Sequence, residues 1–239
     1  FWKFSPVALA TGEGGAETRS AELFIYGYIG IDNDPWSGDE IGKSAKGFLD
    51  DLRALGAIDE LHVHINSPGG DCFDGNAIYD ILAAHPAKKT VTIEGLAASM
   101  ASVIALAGDT VRATSKALFM IHEASTFAYG RAKDLQSAIN ALNALNDGIV
   151  KVYAGKATLS EDEIRAAMDA ETWYTAEQML AAGFIDEIVE PVKATAHFDI
   201  AAARFKNAPA AEVLAEIVAA EPVEEGEPEP ENEPAPEPE

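Results

Sequence analysis

Four short stretches of this chain carry residue types that perform acyl transfer, and they occur in a suggestive order. Ile65-Asn-Ser-Pro-Gly-Gly70 ends in two glycines. Such a pair permits a sharp turn and lets main-chain N–H groups approach a developing oxyanion, although an ordinary turn accounts for Ser-Pro-Gly-Gly equally well. Gly95-Leu-Ala-Ala-Ser99-Met-Ala-Ser102 sets Ser99 near the start of a helix. There the helix dipole and unpaired N–H groups favour negative charge, and the Met100 N–H is placed to help hold an oxyanion. A serine that merely caps the helix is the competing reading; Ser102, one turn further in, reads as a packing residue. His122 closes the apolar run Leu118-Phe-Met-Ile121, and a base at the end of a buried strand is held rigidly. Asp169 and Glu171, in Met168-Asp-Ala-Glu-Thr-Trp173, each offer a carboxylate to orient an imidazole, or serve only as surface charges. Glycines, serine, histidine and acid in that order are the parts of an acyl-transfer site.

The elements that must position these residues follow from pattern. Strands are predicted over 21–29, 61–65, 90–93, 110–112, 118–121 and 184–189. Helices are predicted from Asp39 or Ser44 with apolar positions Ile41, Phe48, Leu49, Leu52 and Leu55, and over 73–84, 98–107, 132–154 and 176–182. Ser160 and Glu163 form a capping box for one more helix, and Gly183 ends the helix before it. Residues 32–38 read as a loop. Strands alternating with helices predict an α/β fold with a mostly parallel sheet. The helix over 132–154 carries Leu135, Ile139, Leu142, Leu145, Ile149 and Val152 on one stripe.

Composition sets outer bounds. Of 239 residues 48% are hydrophobic, enough for a sizeable core, and the net charge is −23. Acidity of that size argues against nucleic acid as a partner. Residues 221–239 hold nine Glu and six Pro with no base, and deducting those nine charges leaves −14 on the rest. The chain therefore divides into a flexible N-terminal arm over 1–20, a catalytic unit over 21–192, an Ala-rich, partly helical extension over 193–220 and a disordered Glu/Pro tail over 221–239. Neither of the last two parts is expected to enter the chemistry, so chains cut after Glu190 or Ala220 are expected to remain active. Cys72 is the one cysteine, which suits a reducing compartment. No run approaches the ~20 apolar residues of a membrane span, so no membrane partner and a cytoplasmic location are expected.

INSPGGD at 65–71, GLAASMAS at 95–102, MIH at 120–122 and MDAETWYTAEQMLAAGFID at 168–186 together resemble the proteolytic subunit of the Clp protease family. They look most like its bacteriophage relatives, the head maturation proteases. The resemblance runs from about Ala21 to Glu190. It implies a ClpP/crotonase-like fold of repeated strand–helix units with a long protruding helix, and serine endopeptidase activity without metal or other cofactor. It implies Ser99 as nucleophile, His122 as base, Gly70 and Met100 N–H groups as oxyanion hole, and Glu171 as the acid where the housekeeping subunit has Asp, with Asp169 as the alternative. It further implies a homo-oligomeric ring acting on capsid or scaffold precursors. Two departures stand out: no proline follows His122, where the chain reads Glu-Ala-Ser, and the next segment is shorter than in the housekeeping enzyme. No counterpart of the features that dock an ATPase unfoldase is evident.

Rival readings attach to particular residues. A housekeeping-like Clp subunit working with an ATPase, an acyl-CoA enzyme of the crotonase type, and a non-catalytic assembly protein on a Clp-like shell remain open. A Ser–Lys dyad would need Lys88 or Lys89, neither of which lies in the right segment. His62 and His64 alternate with Val63 and share one side of a strand, but no third metal ligand is evident. Cys72 reads as a tolerated thiol, and Trp173 and Tyr174 as core or interface anchors.

Overall fold

In the computed structural model the described residues are 2–11, 17–33, 40–42, 44–190 and 207. The chain begins with three strands, β1 (Trp2–Phe4), β2 (Ala8–Thr11) and β3 (Glu17–Tyr26), with β1 and β2 both antiparallel to β3. Among the described residues 2–11 and 17–20, paired strands stand where a flexible arm over 1–20 was expected. Trp2 is buried, stands edge-on to Phe48 at 5.3 Å and donates its indole N–H to Asp51. Burial of this large aromatic anchors β1 to α1. A two-stranded ribbon, β4 (Ile31–Asn33) and β5 (Glu40–Gly42), precedes α1 (Ala45–Ala54). Ser44, of the two expected starts, is the N-cap of α1, and Ile41 lies in β5 rather than on the helix.

Strand–helix units then follow: β6 (Glu60–Ser67), α2 (Cys72–Ala84), β7 (Lys88–Ala98), α3 (Met100–Ala105), β8 (Thr110–Thr114) and β9 (Leu118–Ile121). The long α4 (Ala132–Lys156), α5 (Glu161–Asp169), β10 (Thr172–Thr175), α6 (Ala176–Ala182) and β11 (Glu187–Val189) complete the described elements. Among the described residues nine strands form one mixed sheet whose central path is β1-β3-β6-β7-β8-β11, parallel from β3 onward. That is the α/β architecture expected of the Clp-like fold. Its core face carries Leu23, Ile25, Leu61, Val63, Ile65, Val91 and Ile93, covered by Phe48 of α1 and by Ile78 and Leu82 of α2. No helix among the described residues is long and apolar enough to cross a membrane.

The feature that builds the site is a fork in β7. Its residues 90–93 pair with β8, whereas Leu96–Ala98 pair with β9. The β6 register slips between Ile65 and Ser67, leaving Glu94 and Gly95 in the irregularity. Asn66 locks that slip: its Oδ1 accepts the Leu96 N–H at 3.1 Å, and a Cβ on Gly95 would lie 2.9 Å from the same oxygen. β10 then adds antiparallel to β9. The strand expected over 184–189 is shortened to β11, since Phe184 joins Phe119, Tyr153 and Tyr174 in an aromatic cluster instead. Residues 191–206 and 208–239, including the extension and tail expected there except Asn207, lie outside the described residues.

Candidate active site

Ser99 stands between β7 and α3 with φ 54 and ψ −127, a conformation that costs a non-glycine residue of order 1–3 kcal/mol. The β7–β9 pairing holds it there, and the Ser99 N–H donates to Met120 O at 3.0 Å. The same pairing ends β9 beside the serine, so His122, the next residue after β9, falls within reach. Its Nε2 lies 2.8 Å from Ser99 Oγ. With the ring proton on Nδ1, Nε2 accepts the serine proton, the geometry a general base requires. Just past the histidine, the Ala124 N–H donates to Oδ1 of buried Asn146 on α4 at 2.8 Å, tying down the outgoing chain.

The glycine turn is packed directly on the serine turn. Gly69 has φ 94, and a Cβ there would lie 2.6 Å from both Ala98 O and Ser99 Cβ and 2.9 Å from Met100 N. A Cβ on Gly70 would stand 2.0 Å from Ile29 O. Ser67 Oγ donates to Gly27 O at 2.6 Å and accepts the Gly69 N–H at 3.1 Å, and Asp71 N–H donates to Ile29 O at 2.8 Å. Met100 is the first residue of α3, where an N–H has no intrahelical acceptor. Gly70, Met100, Ser99 and His122 all line one small cleft of about 70 Å³, with Cys72 and Tyr153 in its wall.

The two acids differ in placement. The antiparallel register pairs Thr172 with Ile121, so Glu171 and His122 are the residues next to this last pair, just outside β10 and β9. Glu171 is buried at 7% exposure and has φ 50, whereas Asp169, the last residue of α5, is exposed.

The remaining candidates fall away from this cluster or serve it. Ser102 is fully buried, donates to Ser99 O at 2.5 Å and lies 2.7 Å from Tyr153 Oη. Burial holds the Tyr153 phenol well above its ordinary range. Burial, with the Asp71 charge, also pushes the Cys72 thiol up, which keeps it protonated and a poor nucleophile. Lys89 donates to the carbonyls of His85 and Ala87, both at 3.0 Å, at the far end of β7, roughly 30 Å from Ser99 along the strand. His62 and His64 lie on the sheet face away from the helices. His64 Nδ1 is 2.8 Å from Glu94 Oε1, its ring stacks on Phe24 at 4.7 Å, and Tyr26 donates to the other Glu94 oxygen. Burial first, and Glu94 second, raise the Tyr26 phenol. Trp173 packs on Leu96, Ala98, Leu118 and Met120. Sequence reasoning missed Asn146 and Tyr153; their spacing with Ile149 along α4 was the available signal, a polar residue set into an apolar stripe.

The Clp protease family model matches residues 39–192. The ATP-dependent Clp protease proteolytic subunit of Deinococcus radiodurans is 29% identical over 136 residues, covering 56% of this chain and 67% of the relative. That of Bacteroides fragilis is 28% identical over 174 residues, 70% of this chain and 84% of the relative. Proteolytic subunit 1 of Protochlamydia amoebophila is 33% identical over 129 residues, 52% and 63% respectively. The matched stretch takes in the glycine turn, the forked strand, His122 and both acids, and on that span this chain belongs to the Clp protease family.

Proposed function

We propose that this protein is a serine endopeptidase in which Ser99 is the nucleophile, His122 the general base and Glu171 the acid that orients the imidazole. The observation that carries this is the 2.8 Å approach of Ser99 Oγ to His122 Nε2 at a positive-φ turn in the wall of a cleft. His122 takes the serine proton as Oγ bonds to the substrate carbonyl carbon. The carbonyl oxygen becomes an oxyanion facing the Gly70 and Met100 N–H groups. The imidazolium then gives its proton to the departing amine, leaving an acyl-enzyme, and a water activated by the same histidine releases the acid. The peptidase unit spans 21–192, with β1 and β2 added to its sheet, and 193–220 and 221–239 follow as extension and tail.

The finer role is the processing of capsid or scaffold precursors in the host cytoplasm or an immature virus head. It is supported by Glu at the acid position in the Asp-Ala-Glu-Thr-Trp stretch and by the short segment after His122. A second reading, a subunit that works with an ATPase unfoldase, is favoured by the relatives, which are named ATP-dependent. Self-association into a ring is supported under either reading by exposed Phe127, Tyr129, Leu135 and Ile139 on and before the first half of α4. Co-expression with a capsid precursor, followed by mass spectrometry of its termini, separates the two. Defined new ends that vanish with Ser99→Ala support processing; cleavage that appears only when an unfoldase and ATP are added supports the second reading.

A further inference from the structure

Asn207 lies far along the chain from the chemistry, within the extension that from sequence alone was set outside it. Its backbone N–H donates to Glu171 Oε1 at 2.5 Å, and its Nδ2 donates to Ala170 O at 2.8 Å. One residue therefore grips two consecutive positions of the turn between α5 and β10, from 36 and 37 residues downstream.

That turn needs holding. Glu171 has φ 50, a left-handed conformation uncommon for a side chain larger than glycine. Its carboxylate sits at the end of three rotatable bonds, so it has more positions open to it than an aspartate would have. A donor fixed on Oε1 narrows that choice. The second bond, to Ala170 O, holds the backbone from which Glu171 projects. The carboxylate is buried, so a hydrogen bond to it acts in a low-dielectric setting and counts for more than one at the surface.

We propose that Asn207 is a positioning residue for the triad acid, which makes the C-terminal extension part of the catalytic apparatus. The proposal rests on the reading of Glu171 as that acid. It also departs from the expectation that the extension stays outside the chemistry: a chain cut after Glu190 should remain active but at a lowered kcat.

The test uses the full-length protein, a blocked dipeptide 4-methylumbelliferyl ester as substrate, and fluorophosphonate titration to count competent active sites. Asn207 is itself exposed, so its substitution leaves the core intact. Asn207→Ala removes the bond to Ala170 O and is expected to lower kcat per titrated site roughly fivefold with KM unchanged. Asn207→Pro also removes the N–H on Glu171 and is expected to cost roughly tenfold or more. In a Glu171→Gln background, adding Asn207→Ala should change kcat by less than about twofold, because the group it aims is already lost. Wild-type kcat per site in both Asn207 variants would overturn the proposal. So would a fivefold loss that persists undiminished in the Glu171→Gln background, or a rise in KM with kcat intact. Full kcat in Glu171→Gln alone would remove the acid from Glu171 and this role with it. Dependence on Glu171 together with indifference to Asn207 would sink the positioning role and leave the triad standing.

Discussion

Ser99 holds a backbone conformation that side chains avoid, and Gly69 beside it has no side chain; the two facts share a cause, since each lets the glycine turn lie flat on the serine turn. Gly69→Ala should therefore do more than add a methyl group. With φ 94 and atoms 2.6 Å from the new Cβ, it should cost about 1–3 kcal/mol of stability and cut kcat by pushing the turn off Met100. Chemical denaturation and steady-state kinetics check both. The acids separate as cleanly. Glu171→Gln should lower kcat about 10³-fold or more, whereas Asp169→Asn, at an exposed helix end, should stay within about threefold of wild type; the reverse order would move the orienting role to Asp169. Ser99, His122 and the two glycines were legible as residue types in order. Residue types alone left Asp169 and Glu171 open, with the resemblance favouring Glu171, because the burial that distinguishes them, Glu171 at 7% exposure and Asp169 exposed, arises only in the folded chain.

At the level of elements, the alternation of strands and helices was visible because buried strands such as Leu61–Ile65 and capped helices such as the one begun by Ser160 carry strong local signals. Two strands were less legible. β7 extends to Ala98, well past Ile93, although Gly95, Ala97 and Ala98 have little β preference, because Leu96–Ala98 pair with β9. β10, Thr-Trp-Tyr-Thr, was read only as aromatic anchors, although its β-branched and aromatic run was a strand signal. One ion pair also gives this scale a pH dependence. Arg19 in β3 donates through its side chain, and through its own backbone N–H, to Asp59 just before β6, and these bonds bring the Asp59 carboxyl down to about 2. A carboxyl depressed on folding contributes stability that is complete above its ordinary value near 4 and disappears as pH falls through about 2. The Tm gap between wild type and Asp59→Asn should thus shrink steadily from pH 5 to pH 2. A gap that is constant across that range would contradict the assignment.

For the whole molecule, charge and exposed apolar surface pull in opposite directions. A net charge of −23 keeps copies apart at low ionic strength, whereas the half-bare stripe of α4 and the aromatic loop before it favour association. Light scattering should accordingly give a mass that is a multiple of 25.3 kDa, with the oligomer strengthened by added salt. A monomer of 25.3 kDa across a wide range of protein and salt concentration would remove the ring from the account.

The central claim is that Ser99 is made nucleophilic by His122, and one labelling experiment tests it most directly. The folded protein is treated with a fluorophosphonate near pH 8 and the modified peptide is identified by mass spectrometry. One adduct per chain on Ser99 is expected, absent from Ser99→Ala and slowed by orders of magnitude in His122→Ala, with the labelling rate in wild type rising with pH roughly between 6 and 8 as a histidine base loses its proton. An unlabelled Ser99 in folded protein, an adduct on Ser102, or a rate indifferent to His122 would contradict it.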